Sequence, residues 1–316
     1  MDKVIQSIKN YKNIAILTHI SEDGDALGSA LAFASAMKNE GKKADVFISE
    51  QPPQNLGFME NNFIIYTPDC DVSGYDLCVC LDCADLKRLG RRVRIFDEIP
   101  HTVNIDHHIT NTLYAEANYV EAEVSSTGEI LFGIFNAMGT EITKEIAEYL
   151  YISIASDTGC FKYSSVTPKT MIIGAKLLEK GIDHAEICRK LFDTETRPAL
   201  RIKGYIMQNI SEFFDGKVCM VALEKKIFDD FGVNEKDVED IVNIPRSVKG
   251  CEIAVSIRED TDKLKISFRS NGKYNVSDIA AAFGGGGHKM AAGATMTQTD
   301  IKTAVELIKN ECGKVL

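Results

Sequence analysis

The residues whose types and spacing could do chemistry first appear within 13–30, NIAILTHISEDGDALGSA. An apolar run over 14–17 is short enough for a buried strand, and His19, Asp23 and Asp25 follow it. Imidazole and carboxylate ligands together suit a divalent transition metal such as Mn²⁺, Fe²⁺ or Zn²⁺. Two carboxylates separated by one glycine could each face a different ion. The same residues also fit a turn that caps the next helix, and this stretch alone does not decide between the two interpretations.

Two further apolar runs also end in potential metal ligands. The run over 77–81, LCVCL, is typical of a central parallel strand and is followed by Asp82. The run over 102–105 repeats this pattern. The residues that follow it are Asp106, His107 and His108. In open α/β sheets ligands bind beyond the carboxyl ends of the strands, so we expect these residues to meet on one rim. One such triplet could be a capped turn or arise by chance, but three strand ends favour a functional site.

A further carboxylate, Asp157, lies just past the predicted end of a helix over 143–155. The dipole of a helix favours cations near its C-terminus, so a carboxylate is poorly placed there. This mismatch favours a ligand role for Asp157 over a structural role.

The elements that must position these residues alternate between strand and helix in the first part of the chain. Strand-like runs occur over 14–17, 44–48, 63–66, 77–81 and 102–105, and helical patterns over 27–39, 126–138 and 143–155. This alternation predicts an α/β fold with a parallel sheet. Over about 186–214 the pattern stays helical and highly charged, as expected of a connection between domains. We therefore expect a first domain over 1–188, a helical linker over 189–213 and a smaller domain over 214–316.

The second domain contains a glycine-rich motif. Alternating patterns over 217–223, 252–258 and 263–269 predict strands, and a short helix is predicted over 276–283. Gly284–Gly287 follow the helix and precede His288. Four glycines allow peptide N–H groups to approach a phosphate closely. A flexible loop is the alternative, but the ordered-looking KMAAGA that follows favours a substrate-binding loop.

Composition sets limits on the class of protein. The 316 residues are 45% hydrophobic and carry a net charge of −10, which argues against a protein that tracks long duplex DNA. The polar start MDKVIQSIKNYK predicts no signal peptide, and no apolar run approaches the roughly 20 residues of a membrane helix. Nine cysteines without a paired CxxC pattern indicate reduced thiols in a cytoplasmic protein.

Taken together, these motifs resemble those of the DHH phosphoesterases in type, order and context. The residues that carry the resemblance in the first domain are His19, Asp23, Asp25, Asp82, Asp106, His107, His108 and Asp157. Phe268-Arg269-Ser270 and the loop over 284–288 are similar to the C-terminal DHHA1 domain of that family. The similarity spans nearly the whole chain. It implies an N-terminal parallel-sheet DHH domain and a smaller C-terminal α/β DHHA1 domain, with a cleft between them.

The resemblance implies two divalent metal ions, with Mn²⁺ expected and Mg²⁺ or Co²⁺ as alternatives. The implied ligands of the first ion are His19, Asp23 and Asp82. Those of the second are Asp25, Asp82, His107 and Asp157, so that Asp82 would bridge the two ions. A shared carboxylate suits two ions about 3.5–4 Å apart with a bridging hydroxide as nucleophile.

The resemblance also implies roles for residues that are not metal ligands. His108 would lie near the leaving oxygen, and Asp106 would orient the histidines. The residues that would bind a terminal phosphate of the substrate are Arg269, Gly285, Gly286, Gly287 and His288. One departure from the family pattern is Ser21-Glu22, where Asn-Pro or similar is frequent, and we expect Glu22 to add negative charge near the metals.

Within the family, the compact layout most resembles the subgroup with oligoribonuclease (nanoRNase) and 3′-phosphoadenosine-5′-phosphate (PAP) phosphatase activities. The implied activity is hydrolysis of short RNA, including pApA and pGpG, to mononucleotides, and of PAP to AMP. The implied partners are short RNA and small nucleotides, with a homodimer by analogy. The alternatives are a cyclic-dinucleotide phosphodiesterase, a family II-type pyrophosphatase and a non-catalytic nucleotide-binding protein.

Overall fold

The computed structural model describes residues 1–59, 63–233, 238 and 241–316. The chain divides into two compact units, Met1–Thr194 and Glu195–Leu316. Each unit contains a six-stranded sheet and apolar clusters of its own.

The sheet of the first unit is parallel throughout, as the alternation of strand and helix predicted. In spatial order its strands are β3 (Phe63–Ile65), β2 (Lys43–Ile48), β1 (Asn13–Leu17), β4 (Leu77–Leu81), β5 (Thr102–Asp106) and β6 (Ala117–Val120). The chain builds the sheet outward from β1 to β3 and then crosses to the other side of β1 to add β4. The switch point of the fold, where α/β sheets bind ligands, therefore lies between β1 and β4.

Helices lie before, between and after these strands in the first unit. They are α1 (Asp2–Asn10), α2 (Gly24–Asn39), α3 (Val93–Glu98), α4 (Thr127–Met138), α5 (Lys144–Asp157), α6 (Pro168–Leu178) and α7 (His184–Phe192). Two 3₁₀ helices lie over Gln54–Met59 and Leu86–Arg92. Both α4 and α6 begin with a side-chain cap, since Ser126 accepts a hydrogen bond from the Glu129 amide and Thr167 from the Thr170 amide.

The second unit has a mixed sheet. In spatial order its strands are β11 (Gly286–Gly287), β12 (Ala291–Thr297), β10 (Lys263–Ser270), β9 (Ile253–Asp260), β8 (Val218–Leu223) and β7 (Ser211–Phe213). Its helices are α8 (Arg197–Gln208), α9 (Lys225–Phe231), α10 (Asn243–Arg246), α11 (Val276–Ala281) and α12 (Ile301–Val315). The charged helical stretch after residue 186 is therefore two helices, of which α7 belongs to the first unit and α8 to the second.

The helices and the cysteines of the chain relate to the expectations drawn from composition. None of the helices in the described part of the chain is both long and apolar enough to cross a membrane. All nine cysteines carry free thiols, and each is buried or half-buried.

Candidate metal centre

The carboxyl ends of three adjacent parallel strands bring the predicted ligands of the first unit together. His19 lies two residues beyond β1, Asp82 directly follows β4, and Asp106 ends β5 just before His107. Since β1, β4 and β5 are neighbours in the sheet, these residues lie on one rim at the switch point.

One group of possible metal ligands consists of His19, Asp23 and Asp82. The Nε2 atom of His19 lies 3.6 Å from Asp23 Oδ2 and 3.4 Å from Asp82 Oδ2. The Nδ1 atom of His19 lies 2.8 Å from the Ile20 carbonyl, which fits a tautomer that donates from Nδ1 and keeps Nε2 for a ligand. Asp23 is also the N-cap of α2, because its Oδ1 accepts the Ala26 amide at 3.0 Å. Both interpretations of the first motif, helix cap and ligand, therefore fit this residue at once.

A second group consists of Asp25, His107 and Asp157. The Nε2 atom of His107 lies 3.6 Å from Asp25 Oδ2, 3.2 Å from Asp157 Oδ2 and 3.5 Å from Asp82 Oδ1. Asp157 is the last residue of α5, where the sequence placed it just past the helix end. Its position brings the carboxylate to the rim from the helical layer.

Asp82 lies between the two groups. Its Oδ2 atom faces His19, while its Oδ1 atom faces His107 and accepts a hydrogen bond from Thr127 Oγ1 at 3.2 Å. The side chain is almost fully buried, and its backbone has φ of +53°, a left-handed conformation that is uncommon outside glycine. This turn directs one carboxylate toward both groups, as a bridging ligand requires.

His108 forms a third group of possible ligands with Asp82 and His107, and Asp106 holds its ring. The Nδ1 atom of His108 lies 2.8 Å from Asp106 Oδ1, and Asn111 Nδ2 donates to the other oxygen of Asp106 at 2.6 Å. This contact orients His108, whereas His107 makes its close contacts with Asp25, Asp82 and Asp157. His108 Nδ1 also lies 3.5 Å from Asp82 Oδ1. Its ring is 30% exposed and thus accessible from solvent.

Asp25 is fixed by donors that sequence reasoning did not identify. Its carboxylate accepts hydrogen bonds from the Thr127 and Gly128 amides at 2.9 and 3.3 Å, at the N-terminus of α4. Hydroxyl donors come from Ser29 at 3.0 Å and from Ser153. Ser153 is 128 residues from Asp25 in sequence, and no local pattern signals that contact. Four donors on three helices hold one carboxylate in a single orientation.

The titration behaviour of the cluster indicates a place for cations. Burial and the Asp82 carboxylate raise the pKa of Asp25 to about 7. Burial and the neighbouring Asp25, Asp23 and Asp82 carboxylates raise the pKa of Asp157 to about 9. Burial alone lowers the pKa of His19, but Asp23 and Asp82 outweigh it and raise the pKa to about 10. Divalent ions displace such protons because metal ligands bind in their deprotonated form. The donor set therefore fits divalent metal.

The remaining predicted site residues lie in the second unit, on β10 and in and beside β11, two strands that both pair with β12. Arg269 on β10 is opposite Ala291 on β12, and Gly287 on β11 is opposite Ala292. His288 is exposed in the turn that joins β11 to β12, where its amide donates to the Ala291 carbonyl at 2.7 Å.

The glycine run is only partly a loop. Gly286 and Gly287 form β11, and a Cβ on Gly285 or Gly287 would approach a backbone oxygen of the 291–293 segment within 2.1 or 2.6 Å. The close pairing with β12 therefore requires glycine at 285 and 287, independently of any phosphate binding.

The expectation that Glu22 adds free negative charge near the metals is wrong. The Glu22 side chain forms an ion pair with Arg92, whose Nη1 lies 2.9 Å from Glu22 Oε1. Both side chains are buried, so their charges compensate each other inside the first unit.

Known proteins resemble this chain over both units. Residues 13–154 match the DHH family, N-terminal domain, and residues 215–314 match the DHHA1 domain. A Thermus thermophilus protein named bifunctional oligoribonuclease and PAP phosphatase NrnA is 32% identical over 298 residues, 93% of this chain and 87% of the relative. An exopolyphosphatase-related protein from Bacteroides fragilis has a crystal structure that matches with a TM-score of 0.92 and 31% identity, over 99% of this chain and 96% of that one.

A protein of much lower sequence identity shares the fold. The structure of RecJ from Thermus thermophilus in complex with Mn²⁺ has a TM-score of 0.60 and 10% identity, over 100% of this chain and 54% of that one. At this identity the likeness is one of fold. The family matches and the relative at 32% identity are decisive: this chain belongs to the DHH family and carries a DHHA1 domain in its second unit.

Proposed function

We propose that this protein is a metal-dependent phosphoesterase that hydrolyses very short RNA to mononucleotides and PAP to AMP. The observation that carries the proposal is the cluster of possible ligands around Asp82, which contacts His19 on one side and His107 on the other. The relative named oligoribonuclease and PAP phosphatase, which aligns over 93% of this chain, supports the substrate class.

In this proposal one ion is held by His19, Asp23 and Asp82. The ligands of the other are Asp25, Asp82, His107 and Asp157. Divalent ions in such a pair of sites supply activation of water and neutralise the charge that develops on the phosphate. Mn²⁺ suits a mixture of imidazole and carboxylate ligands, and the RecJ structure of the same fold contains it.

The protein's own contribution to the reaction includes a proton donor. His108 keeps Nδ1 against Asp106, and its ring is 30% exposed to solvent, from which substrate would approach. From this position we expect it to hydrogen-bond or protonate the departing ribose oxygen. Asp106 raises the pKa of His108 through the 2.8 Å contact, which favours the protonated form that such a donor needs.

The second unit would supply a binding site for the terminal phosphate of the substrate. We assign this role to Arg269, Gly285, Gly286, Gly287 and His288. A guanidinium group offers a planar fork that matches two phosphate oxygens, which Lys does not reproduce. Arg269→Ala should raise KM for pApA about 10- to 100-fold, the loss expected for hydrogen bonds to a charged group. Mn²⁺ binding measured by calorimetry should be unchanged; a loss of metal binding would show that Arg269 has a different role.

The nine free thiols support a reducing compartment, and we place the activity in the cytoplasm.

The substrate class is tested with a length series. RNAs of 2, 5 and 24 nucleotides with a labelled end, together with PAP and cyclic-di-AMP, are incubated with Mn²⁺ and separated by chromatography. We expect the 2-mer and PAP to turn over fastest and the 24-mer slowest. Faster hydrolysis of cyclic-di-AMP than of pApA would favour the alternative of a cyclic-dinucleotide phosphodiesterase.

The variant Asp82→Asn tests whether the protein is a metal-dependent enzyme or a non-catalytic nucleotide-binding protein. It should abolish turnover of the 2-mer, while Asp97→Asn, an exposed aspartate in the same unit, should leave turnover unchanged. Absence of turnover in the unmodified protein with Mn²⁺, Mg²⁺ and Co²⁺ would instead indicate a non-catalytic nucleotide-binding protein.

A further inference from the structure

We propose that the buried ion pair between Glu22 and Arg92 positions His19 and Asp23 for metal binding. The inference rests on the proposed function, in which those two residues are ligands of one ion. Arg92 is 1% exposed and Glu22 is 3% exposed, and Arg92 is the largest fully buried side chain in the described part of the chain.

The guanidinium of Arg92 joins the ends of two strands. Its Nη1 donates to the Phe47 carbonyl of β2 at 2.7 Å, and its Nη2 donates to the Thr18 carbonyl just beyond β1 at 3.0 Å. Glu22 in turn accepts hydrogen bonds from the Ser49 amide at 2.8 Å and from the Ser49 hydroxyl at 2.9 and 3.0 Å. The two terminal nitrogens of the guanidinium and both oxygens of Glu22 thus fix the ion pair to the sheet, while Arg92 Nε is buried without a hydrogen-bond partner.

The anchored residues alternate with the ligands along the chain. Thr18 precedes His19, and Glu22 precedes Asp23. Between them, the Ile20 amide donates to the Arg88 carbonyl at 2.7 Å. Ser21 has φ of +58°, a conformation that a residue with a side chain adopts only when its surroundings impose it. The three anchors at 18, 20 and 22 impose this turn, which sets the distance between His19 and Asp23.

The anchors also connect this turn to the third ligand of the same group. Arg88 and Arg92 both lie within Leu86–Arg92, on either side of a kink at Gly90, and this segment begins four residues after Asp82. The turn over 18–23 is therefore anchored to a segment that closely follows Asp82 in the chain. Movement of that segment would displace His19 and Asp23, whereas Asp82 and Asp25 are also held from α4 by Thr127 and Asp157 lies on α5.

Stability alone does not account for a buried pair of this kind. Replacing a buried ion pair by apolar side chains of similar volume is often neutral or stabilising, because two charges no longer lose their hydration. A guanidinium, however, can satisfy two carbonyls and one carboxylate at fixed angles in one plane, which an ammonium cannot do. The chemistry of the pair thus fits the task of setting geometry.

The test measures Mn²⁺ binding and turnover in Glu22→Gln and Arg92→Lys. Both variants keep a polar group of similar size. Binding is followed by EPR of free Mn²⁺ and by equilibrium dialysis, so that the readout does not depend on activity. We expect one class of Mn²⁺ sites to weaken about 10- to 100-fold, as for other residues that orient ligands, while the second class is unchanged. The value of kcat should fall with little change in KM for pApA.

The matched controls are Arg94→Lys and Glu98→Gln. Arg94 and Glu98 form an ion pair at 2.6 Å on α3 in the same part of the chain, but both are about 45% exposed. An exposed pair contributes little, so these variants should match the unmodified protein in Mn²⁺ binding and in turnover.

The proposal is wrong if Glu22→Gln and Arg92→Lys bind Mn²⁺ like the unmodified protein and differ only in melting temperature. It is equally wrong if both variants lose their cooperative thermal transition, since the pair would then be part of the fold itself. Failure of the unmodified protein to bind Mn²⁺ would contradict the proposed function instead, and the two failures are therefore distinguishable.

Discussion

Asp82 shows how a single residue determines the geometry of the candidate centre. Its left-handed backbone turns the chain immediately after β4, so that Oδ2 faces His19 and Oδ1 faces His107. Thr127 holds the Oδ1 side from α4. A residue kept in such a conformation costs about 1–3 kcal/mol, and strain of this kind concentrates at functional sites.

At the residue scale, a variant of His108 distinguishes a role as proton donor from a role as metal ligand. His108→Ala should lower kcat for pApA by about 10²–10⁴-fold, the usual contribution of a general acid. Its Mn²⁺ affinity, measured by calorimetry, should equal that of the unmodified protein. His101→Ala, a control at a histidine that pairs with Glu116, should retain full activity. A weaker Mn²⁺ affinity in His108→Ala would make His108 a ligand, consistent with its proximity to Asp82 and His107.

The types of the candidate ligands could be predicted from sequence, because each follows a recognisable apolar run or helix. Their supporting partners could not. Ser153 lies 128 residues from Asp25, and Arg92 lies 70 positions beyond Glu22, so that only the folded chain reveals the contacts. For the same reason the sequence does not reveal that Arg92 compensates the charge of Glu22.

At the scale of elements, close packing of three helices fixes Asp25. The glycines Gly28 on α2 and Gly128 on α4 allow α5 to approach, since a Cβ on Gly28 would lie 2.7 Å from the Tyr149 carbonyl oxygen. A Cβ on Gly128 would lie 2.7 Å from the Cβ of Ser153. The absence of side chains at these positions is therefore what brings the Ser153 hydroxyl to Asp25.

Gly128→Ala tests this packing. The added methyl group has no room beside Ser153 and should destabilise the protein by about 1–3 kcal/mol in urea unfolding. Gly133→Ala on the same helix is the matched control, because its Cβ would meet no atom within 4 Å. That control should stabilise by about 0.5–1 kcal/mol through better helix propensity. Equal stability of the two variants would contradict the account of α4 and α5.

The strands and helices were predictable where their periodicity was strong. The buried strands β1, β4 and β5 follow the apolar runs closely, since both faces of a central parallel strand are covered. The glycine strand β11 and the partly exposed β12 carry no such pattern, because glycine and small residues there serve close pairing instead of burial.

At the scale of the whole molecule, the candidate ligands and the expected phosphate-binding residues belong to different units. His19 to Asp157 lie within Met1–Thr194, whereas Arg269 and His288 lie within Glu195–Leu316. The apolar clusters also stay within one unit or the other, so each has a core of its own.

This division predicts the behaviour of a fragment. Residues 1–194 expressed alone should unfold cooperatively and bind Mn²⁺ with the stoichiometry of the full chain. In the proposed function the second unit binds the terminal phosphate of the substrate, so turnover of pApA by the fragment should fall about 10²-fold or more. Circular dichroism and calorimetry check the first two results, and chromatography checks the third. A folded fragment with full activity would contradict the role given to the second unit.

The central claim is that two metal ions share Asp82, and anomalous scattering from crystals grown with Mn²⁺ tests it most directly. We predict two anomalous peaks about 3.5–4 Å apart, the usual separation of such ion pairs. One should be bound by His19 and Asp23, the other by His107 and Asp157, with Asp82 in contact with both. A single peak, or two peaks of which either lacks Asp82 as a ligand, would contradict the account.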